Sequence, residues 1–509
     1  MSRTTLLTSA QMGRADLLTI AAGTPGIELM ENAGRVCTEE IIKAFPRAET
    51  AVVLCGPGNN GGDGFVIARL LREEGWNIRL ALLGDEGALK GDAAQMAARW
   101  GGPVALMTST VLERADLVID AIFGAGLARD VSGIPARMIA AVAEAGLPVM
   151  AVDVPSGIDG TTGAVRGAAM RADLTVTFFR AKPGHYLLPG RLYRGKLVVR
   201  DIGIKTGVLE AIDHDIALNR PALWKHAYPW PRPQGHKYSR GHALVVGGPA
   251  PATGAARLAA RGALRAGAGL VTLAAPQDAI AENAAQLNAI MLREADDANA
   301  LAQILKDRRK NACVIGPGLG LGGPEREKVE AVLKSGAACV LDADALSLFA
   351  GDLASLQKLV ALRTARPVVL TPHEGEYARL FRALDEKHES GSKPLESKSQ
   401  RALQAAKRTG AYIALKGPDT VIAAPDGRLA ITANAPPWLA TAGSGDVLAG
   451  MMGALLAQEM PPFEAACAAV WLHGAAARRF GPGLIAEDLP ETLPRVLRRL
   501  WKRASARQR

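Results

Sequence analysis

The sequence predicts an α/β fold built twice, as two three-layer α/β/α domains. Three observations carry this. The chain has 509 residues, more than one hydrophobic core usually organises. Short apolar runs of strand length alternate with stretches of helical periodicity, the signature of parallel sheets covered by helices. Those runs end repeatedly in Gly-rich loops carrying Asn, Asp, Ser or Thr, and the pattern restarts after a Pro-rich interval.

In chain order, Ser9 is placed to cap a first helix through Met12, Leu17, Leu18 and Ile20, which Pro25-Gly26 ends. A second helix follows, with Leu29, Met30, Ala33, Val36, Cys37, Ile41 and Ile42 on one face. Ala51 to Cys55 reads as a buried strand, Gly56-Pro57-Gly58-Asn59-Asn60-Gly61-Gly62-Asp63-Gly64 as a loop, and Phe65 to Leu71 as the opening of a helix. Strand, Gly-loop, helix is how a doubly wound sheet presents backbone to a phosphate. The two Asn and the Asp add oxygens that a plain dinucleotide loop does not need. Asp116 to Phe123 is a second such strand, running into Gly124 to Asp130, and Val149 to Val154 a third, ending in Pro155-Ser156-Gly157. In an open parallel sheet these ends meet in one crevice. Asn60, Asp120 and Ser156 all offer hard oxygens that together suit a cation. Taken singly, each reads equally as a turn-capping residue, Asp120 least so. After Leu174 to Phe179 and Lys182-Pro183-Gly184-His185, a hairpin-like return is expected through Leu197-Val198-Val199.

Lys205 to Gly241 holds Pro221, Pro229, Pro231 and Pro233 with little periodicity, and its core, 216–240, is read as a linker between a domain 1–215 and a domain 241–505. The second domain restarts with His242 to Val246 and a small-residue helix from Thr253-Gly254-Ala255. Its strands end in Gly316-Pro317-Gly318-Leu319-Gly320, Asp342-Ala343-Asp344, Thr371-Pro372-His373-Glu374-Gly375-Glu376 and Lys416-Gly417-Pro418-Asp419-Thr420. Asp426-Gly427 marks a hairpin. Lys387 to Ser399 reads as an exposed excursion, and the basic tail from Arg495 to Arg503 as a solvated terminal helix. The organising stretch of this half is Thr441-Ala442-Gly443-Ser444-Gly445-Asp446, which leads into an apolar helix. Gly-rich backbone at a helix start is an anion site. Asp446 there is suited to accept a hydroxyl proton while the backbone holds a phosphoryl group; the alternative is a turn with Asp446 as a cap. His373 at a strand end can reach a ligand, and capping the helix near Glu374 is its weaker alternative.

Composition narrows the classes. The net charge is +10, but aromatic content is 4% and the basic residues are dispersed, so a nucleic-acid binder is not expected; a positive field also suits an anionic small molecule. The five cysteines, Cys37, Cys55, Cys313, Cys339 and Cys467, lack metal-ligand spacing and read as buried free thiols of a reducing compartment. No signal peptide or membrane-spanning run is indicated, and the cytoplasm is expected. No H-E-x-x-H, G-x-S-x-G or Walker pattern occurs, which argues against a zinc enzyme, an α/β-hydrolase and a P-loop NTPase.

These motifs in this order resemble a known family. The first half is similar to the NAD(P)H-hydrate epimerases, in Gly56 to Gly64, the Asp120 strand with Gly124-Ala125-Gly126-Leu127, and Val152-Asp153-Val154-Pro155-Ser156-Gly157. The second resembles the ADP- or ATP-dependent NAD(P)H-hydrate dehydratases, in Thr253 to Ala256, Gly316 to Gly320, Thr371 to Glu376, Lys416-Gly417 with Thr420, and Gly443 to Asp446. The family loop often reads Gly-Gly-Thr-Gly-Asp where this chain has Ala442-Gly443-Ser444-Gly445-Asp446. The resemblance implies a Rossmann-like first domain and a ribokinase-like second. It implies a bifunctional repair enzyme that epimerises the hydrates NADHX and NADPHX and dehydrates the S form with ADP or ATP. In the first domain Asn59, Asn60, Gly61, Gly62, Asp63 and Gly124, Ala125, Gly126, Leu127, Ala128, Arg129, Asp130 would line the hydrated nucleotide. Asp153 would contact the nicotinamide end, either as the proton-transfer group or only to position the ligand. Asn60, Asp120 and Ser156 would hold a potassium ion. In the second domain Ala255, Gly318, His373 and Asp446 would contact the hydrate, and Lys416, Gly417, Pro418, Asp419, Thr420 and Gly445 the adenine nucleotide, which brings a magnesium ion. Asp446 would be the catalytic base. A homo-oligomer is expected. The competing reading is a ribokinase-like small-molecule kinase fused to a non-catalytic nucleotide-binding domain.

Overall fold

The computed structural model describes residues 4–127, 129–363, 366–386 and 397–505. The chain divides into two compact units, Met1–Ile216 and Ala217–Arg509.

The first unit is organised by a seven-stranded sheet of β1 (Thr50–Cys55), β2 (Asn77–Leu82), β3 (Val104–Leu106), β4 (Leu117–Ala121), β5 (Val149–Val152), β6 (Leu174–Phe178) and β7 (Lys196–Arg200), in the order β3-β2-β1-β4-β5-β6-β7. All neighbours run parallel. The order reverses between β1 and β4, which opens a crevice beyond their C-terminal ends. Strands β1, β4 and β5 are buried along almost their whole length, which is why they read as unbroken apolar runs. The expected hairpin return at Leu197 to Val199 is corrected: β7 lies parallel to β6, pairing Val176 with Val198. The chain crosses back through the turns Pro183–His185 and Gly190–Leu192 before β7 begins. The first helix, Ser9–Ala21, is capped by Thr8, not Ser9, through a reciprocal capping box with Gln11.

The loop after β1 needs its glycines for packing. A Cβ at Gly61 would stand 1.8 Å from the carbonyl oxygen of Gly56, and one at Gly64 2.7 Å from Cys55 Sγ. The helix Asn59–Glu73 can therefore begin directly on the end of β1.

The second unit carries a ten-stranded sheet formed by β8 (Ile216–Leu218), β9 (His242–Val246), β10 (Leu270–Ala275), β11 (Met291–Glu294), β12 (Ala312–Ile315), β13 (Ala338–Leu341), β14 (Val368–Leu370), β15 (Tyr412–Leu415), β16 (Val421–Ala423) and β17 (Leu429–Ile431). From β11 through β10, β9, β12, β13 and β14 to β15 the neighbours are parallel; β16 and β17 form the expected antiparallel hairpin. The helix Ser444–Ala457 is buried from Val447 to Ala457 and packs backbone-close on Thr253–Arg265. A Cβ at Gly450 would lie 1.9 Å from the carbonyl oxygen of Ala259, which is why this pair of helices is rich in small residues. The stretch expected as a linker is structured here: it supplies β8, the short helix Pro221–Trp224 and the buried side chains of Asn219 and Trp224. Of the expected excursion at 387–399, residues 387–396 lie outside the described residues, and Ser397 caps the helix Lys398–Thr409 from a buried position. The five cysteines are buried and free, as expected.

Candidate active sites

In the first unit a cavity of about 710 Å³ opens beyond the ends of β1, β4 and β5. Asn59, Asn60 and Asp63 line it from the start of the helix Asn59–Glu73, Gly124 to Leu127 and Arg129 from the loop after β4, and Asp153 from the end of β5. Gly61 and Gly62 do not face the cavity; they are turned into packing, Gly62 against Met30. Asp130 is exposed and not on the cavity wall, and Ala128 lies outside the described residues.

Asp153 sits at φ +64, a strained setting for a non-glycine residue, and its carboxylate is heavily engaged. Thr177 Oγ1 donates to Oδ1 at 2.8 Å, the Lys182 ammonium forms an ion pair with the same oxygen, and Ala125 N donates weakly to Oδ2 at 3.4 Å. Lys182 is itself 1% exposed and also donates to Thr177 Oγ1. His185 Nε2 bonds to the Asp153 carbonyl at 3.0 Å while its Nδ1 accepts from the Lys182 N–H, which fixes the tautomer. Burial pushes Asp153 up, but the Lys182 ammonium first, then the Thr177 hydroxyl, outweigh it and hold the carboxyl below its ordinary range. Burial and Lys182 push His185 down to about 3, so it is neutral.

Asp120, fully buried at the end of β4, accepts from Ser156 N at 2.8 Å and from Ser156 Oγ at 2.5 Å; burial pushes it up to about 6 despite these bonds. Ser156 Oγ accepts in turn from Phe123 N at 2.9 Å. Asn60 Nδ2 is buried without a hydrogen-bond partner, and a Cβ at Gly124 would stand 2.9 Å from Asn60 Oδ1. A buried amide left unpaired is costly, and the sequence-predicted trio Asn60, Asp120 and Ser156 lies at neighbouring strand ends, β1 and β4 being paired with Leu54 beside Asp120.

In the second unit, Gly443 takes φ +81 and starts the helix Ser444–Ala457 without any side-chain cap. Asp446 is thus not the cap of this helix; it stands in the first turn, and its carboxylate makes no hydrogen bond or ion pair among the described residues. Burial, then the negative charge of Asp342, push it up to about 6 against the pull of Lys416. Lys416 Nζ lies 2.5 Å from Asp342 Oδ1 and 3.8 Å from Glu376 Oε2. Burial lowers Lys416, but Asp342 and Glu376 raise it above its ordinary value, so it stays charged. A Cβ at Gly445 would be 3.6 Å from Lys416 Nζ, so Lys416, Gly445 and Asp446 do gather at one place.

Ala255 and Gly318 also meet: a Cβ on Gly318 would be 3.3 Å from Ala255 Cβ. His373 is 54% exposed on its side chain, and it caps the helix Glu374–Glu386: its Nδ1 accepts from Gly375 N at 2.9 Å and Glu376 N at 3.2 Å, while Glu376 accepts from His373 N at 2.7 Å. The alternative held to be weaker from sequence is therefore present, and it leaves the Nε2 edge toward Glu376 Oε1 at 3.4 Å. Asp419 is occupied by Lys398 Nζ at 2.8 Å, and Thr420 Oγ1 donates to Gly417 O at 2.8 Å, which shapes the 416–420 loop from within. The sequence shows Asp342 and Glu376 within strand-end motifs but assigns them no role, and it does not single out His473. The buried His473 donates from Nε2 to Ser444 O at 2.8 Å, and burial pushes it down to about 4, so it is a neutral clamp on the first turn.

The fold and the two strand-end sites define a two-part α/β enzyme. Residues 26–184 match the family described as YjeF-related protein N-terminus, and residues 243–497 the NAD(P)H-hydrate dehydratase family. The chain is 37% identical to a bifunctional NAD(P)H-hydrate repair enzyme of Moorella thermoacetica, covering 97% of each chain. It is 35% identical to its Escherichia coli counterpart, covering 92% of this chain and 89% of that one. Among solved structures, the second unit is similar to an ADP/ATP-dependent NAD(P)H-hydrate dehydratase from Bacillus subtilis, at 29% identity and TM-score 0.46, over 56% of this chain and 98% of that one. The chain belongs to the family of bifunctional NAD(P)H-hydrate repair enzymes.

Proposed function

We propose that the first unit interconverts the R and S forms of NADHX and NADPHX, and that the second dehydrates the S form to NADH or NADPH. The second reaction consumes ADP or ATP and gives AMP or ADP and phosphate. The observation that carries the reading is Asp446: an unpaired carboxylate pushed up to about 6, in the first turn of a buried helix and beside a charged lysine. A base with that affinity is matched to neutral pH.

In the second unit, Asp446 takes the proton of the 6-hydroxyl as that oxygen attacks the terminal phosphoryl group. The N–H groups of Gly445 and Asp446, in the first turn of a helix without a side-chain cap, would meet the charge that develops, and Lys416, steadied by Asp342, adds a fixed cation. Phosphate then leaves C6 as the ring nitrogen donates its pair and a proton is lost from C5, which restores the dihydronicotinamide. Asp342 and Glu376, beside Lys416, would hold a hydrated magnesium ion brought with the nucleotide, and that ion would neutralise phosphate charge. Ala255, Gly318 and His373 are read as hydrate contacts, and Lys416 to Thr420 with Gly445 as the nucleotide side.

In the first unit the cavity takes the hydrate, with Asn59 to Asp63 and the loop after β4 on the nucleotide and Asp153 at the nicotinamide end. Asn60, Asp120 and Ser156 fit a potassium ion. Turning the Asn60 amide would put an oxygen at the atom now buried and unpartnered, and such an ion would supply positive charge near the phosphates. The five buried free thiols support a cytoplasmic enzyme. Among the described residues, no helix is long and apolar enough to cross a membrane.

The test is a repair assay on a mixture of R and S hydrate, with ADP and ATP supplied separately. Return of the reduced-nicotinamide absorbance with release of free phosphate, from both epimers, is the expected result. Accumulation of a stable phosphorylated product would make the second unit a kinase instead.

A further inference from the structure

Four carboxylates among the described residues line the cavity of the first unit, and their surroundings differ. Asp153 is bound by Lys182 and Thr177 and has no free capacity on Oδ1. Asp92 lies in the first turn of the helix Gly91–Trp100, where the helix N-terminus stabilises negative charge. Asp63 lies deep, close enough to Cys37 and Cys55 to raise both thiols, and burial pushes it well above its ordinary range. Asp16 differs in its place: it projects from the helix Ser9–Ala21 onto the cavity wall, half-buried and flanked by Met12, Gly13 and Ile20, with Lys182 and Asp153 as its charged neighbours. Like Asp63 and Asp92, its carboxylate makes no hydrogen bond or ion pair among the described residues.

Building on the reading of this unit as the R/S-interconverting site, we propose that Asp16 moves the proton at the 6-hydroxyl, and that Asp153 with Lys182 is a positioning pair. Asp16 takes the hydroxyl proton; the C6–N1 bond breaks, its electron pair passes to N1 and spreads into the conjugated carboxamide, and C6 becomes a carbonyl. After rotation about C5–C6 the N1 pair adds to the other face of that carbonyl, and Asp16 returns the proton to oxygen. Nothing is gained or lost. A carboxylate tied to a buried ammonium is a weak base for this step, whereas burial pushes Asp16 up to about 6 despite Lys182, with Asp153 adding to the rise. The charged groups sharing the wall with Asp16 are Lys182, Asp153, Asp63, Asp92 and Arg129.

The experiment follows R-to-S conversion chromatographically with the full-length chain and purified R hydrate, without added nucleotide. Asp16→Asn is expected to lower kcat by about 100-fold or more with KM within about threefold, to lose the acid limb near pH 6, and to leave S-hydrate repair unchanged. Asp153→Asn is expected to raise KM more than it lowers kcat. If Asp16→Asn does not fold, Asp16→Ser must show the same loss. Wild-type conversion by either Asp16 variant overturns the assignment while leaving the reading of the unit intact. A wild-type chain that does not convert the R hydrate overturns that reading, and the assignment with it.

Discussion

Two site carboxylates, one in each unit, meet opposite environments. Asp153 shares a buried niche with an ammonium 1% exposed and is held ionised. Asp446 stands in an acidic neighbourhood, where Lys416 is already claimed by Asp342, and is pushed up to about 6. Both residues stand between a Gly-rich loop and an apolar run, Asp153 after its strand and Asp446 before its helix, so sequence composition does not separate them. What separates them is which partner the lysine chooses. In the first unit the lysine pairs with the central carboxylate and makes it a fixed charge; in the second it pairs with a neighbour and leaves the central carboxylate free to exchange a proton.

The sharpest way to break this contrast is at the free carboxylate. Asp446→Asn is expected to lower dehydration at least about 1,000-fold, with nucleotide affinity within a few-fold by titration calorimetry and R-to-S conversion untouched. Next is the paired one. Lys182→Met leaves Asp153 buried without its counter-charge, and loss of one partner of a buried pair costs about 3–5 kcal/mol. Thermal or urea unfolding should show that loss in the first unit, with S-hydrate repair retained.

Backbone packing gives a smaller effect. Gly61→Ala brings a Cβ against the Gly56 carbonyl, and overpacking costs about 1–3 kcal/mol or more. Gly450→Ala does the same in the second unit against Ala259, read by the same melts. The pH dependence is gentler still and differs in sign between activity and stability. The Asp446 base is active when ionised, so dehydration kcat/KM should fall tenfold per pH unit below about pH 6. Its folded pKa is raised, so ionising it costs stability above the ordinary carboxylate range. Asp446→Asn should therefore raise the stability of the second unit by about 1–2 kcal/mol at pH 7–8, discounted for partial exposure. The gain should vanish below about pH 4.

The contrast also explains what could be read in advance. Buried parallel strands announce themselves as apolar runs, and the loops closing them concentrate Gly, Asn and Asp, so Asn60, Asp120, Asp153, Gly318 and Lys416 were legible as strand-end residues, and Asp446 as the acid of a Gly-rich helix start. Asp16 and His473 were not. Each sits on a helix, where a lone charge reads as a solvated face and a lone histidine as a core residue. Only the tertiary fold carries Asp16 to the cavity and His473 to Ser444 O. Lys182 was visible in its motif, but its pairing with Asp153 depends on the parallel placement of β6 beside β5. β8 and β11 are edge strands of three and four residues, too short for a periodic signal.

The most direct measurement gives purified R hydrate and nucleotide to the Asp446→Asn chain and follows both stereochemistry and reduced-nicotinamide absorbance. The account predicts conversion of R to an R/S mixture at the wild-type rate, with no return of absorbance. Recovery of absorbance at the wild-type rate, or an R hydrate that stays unchanged, would contradict it.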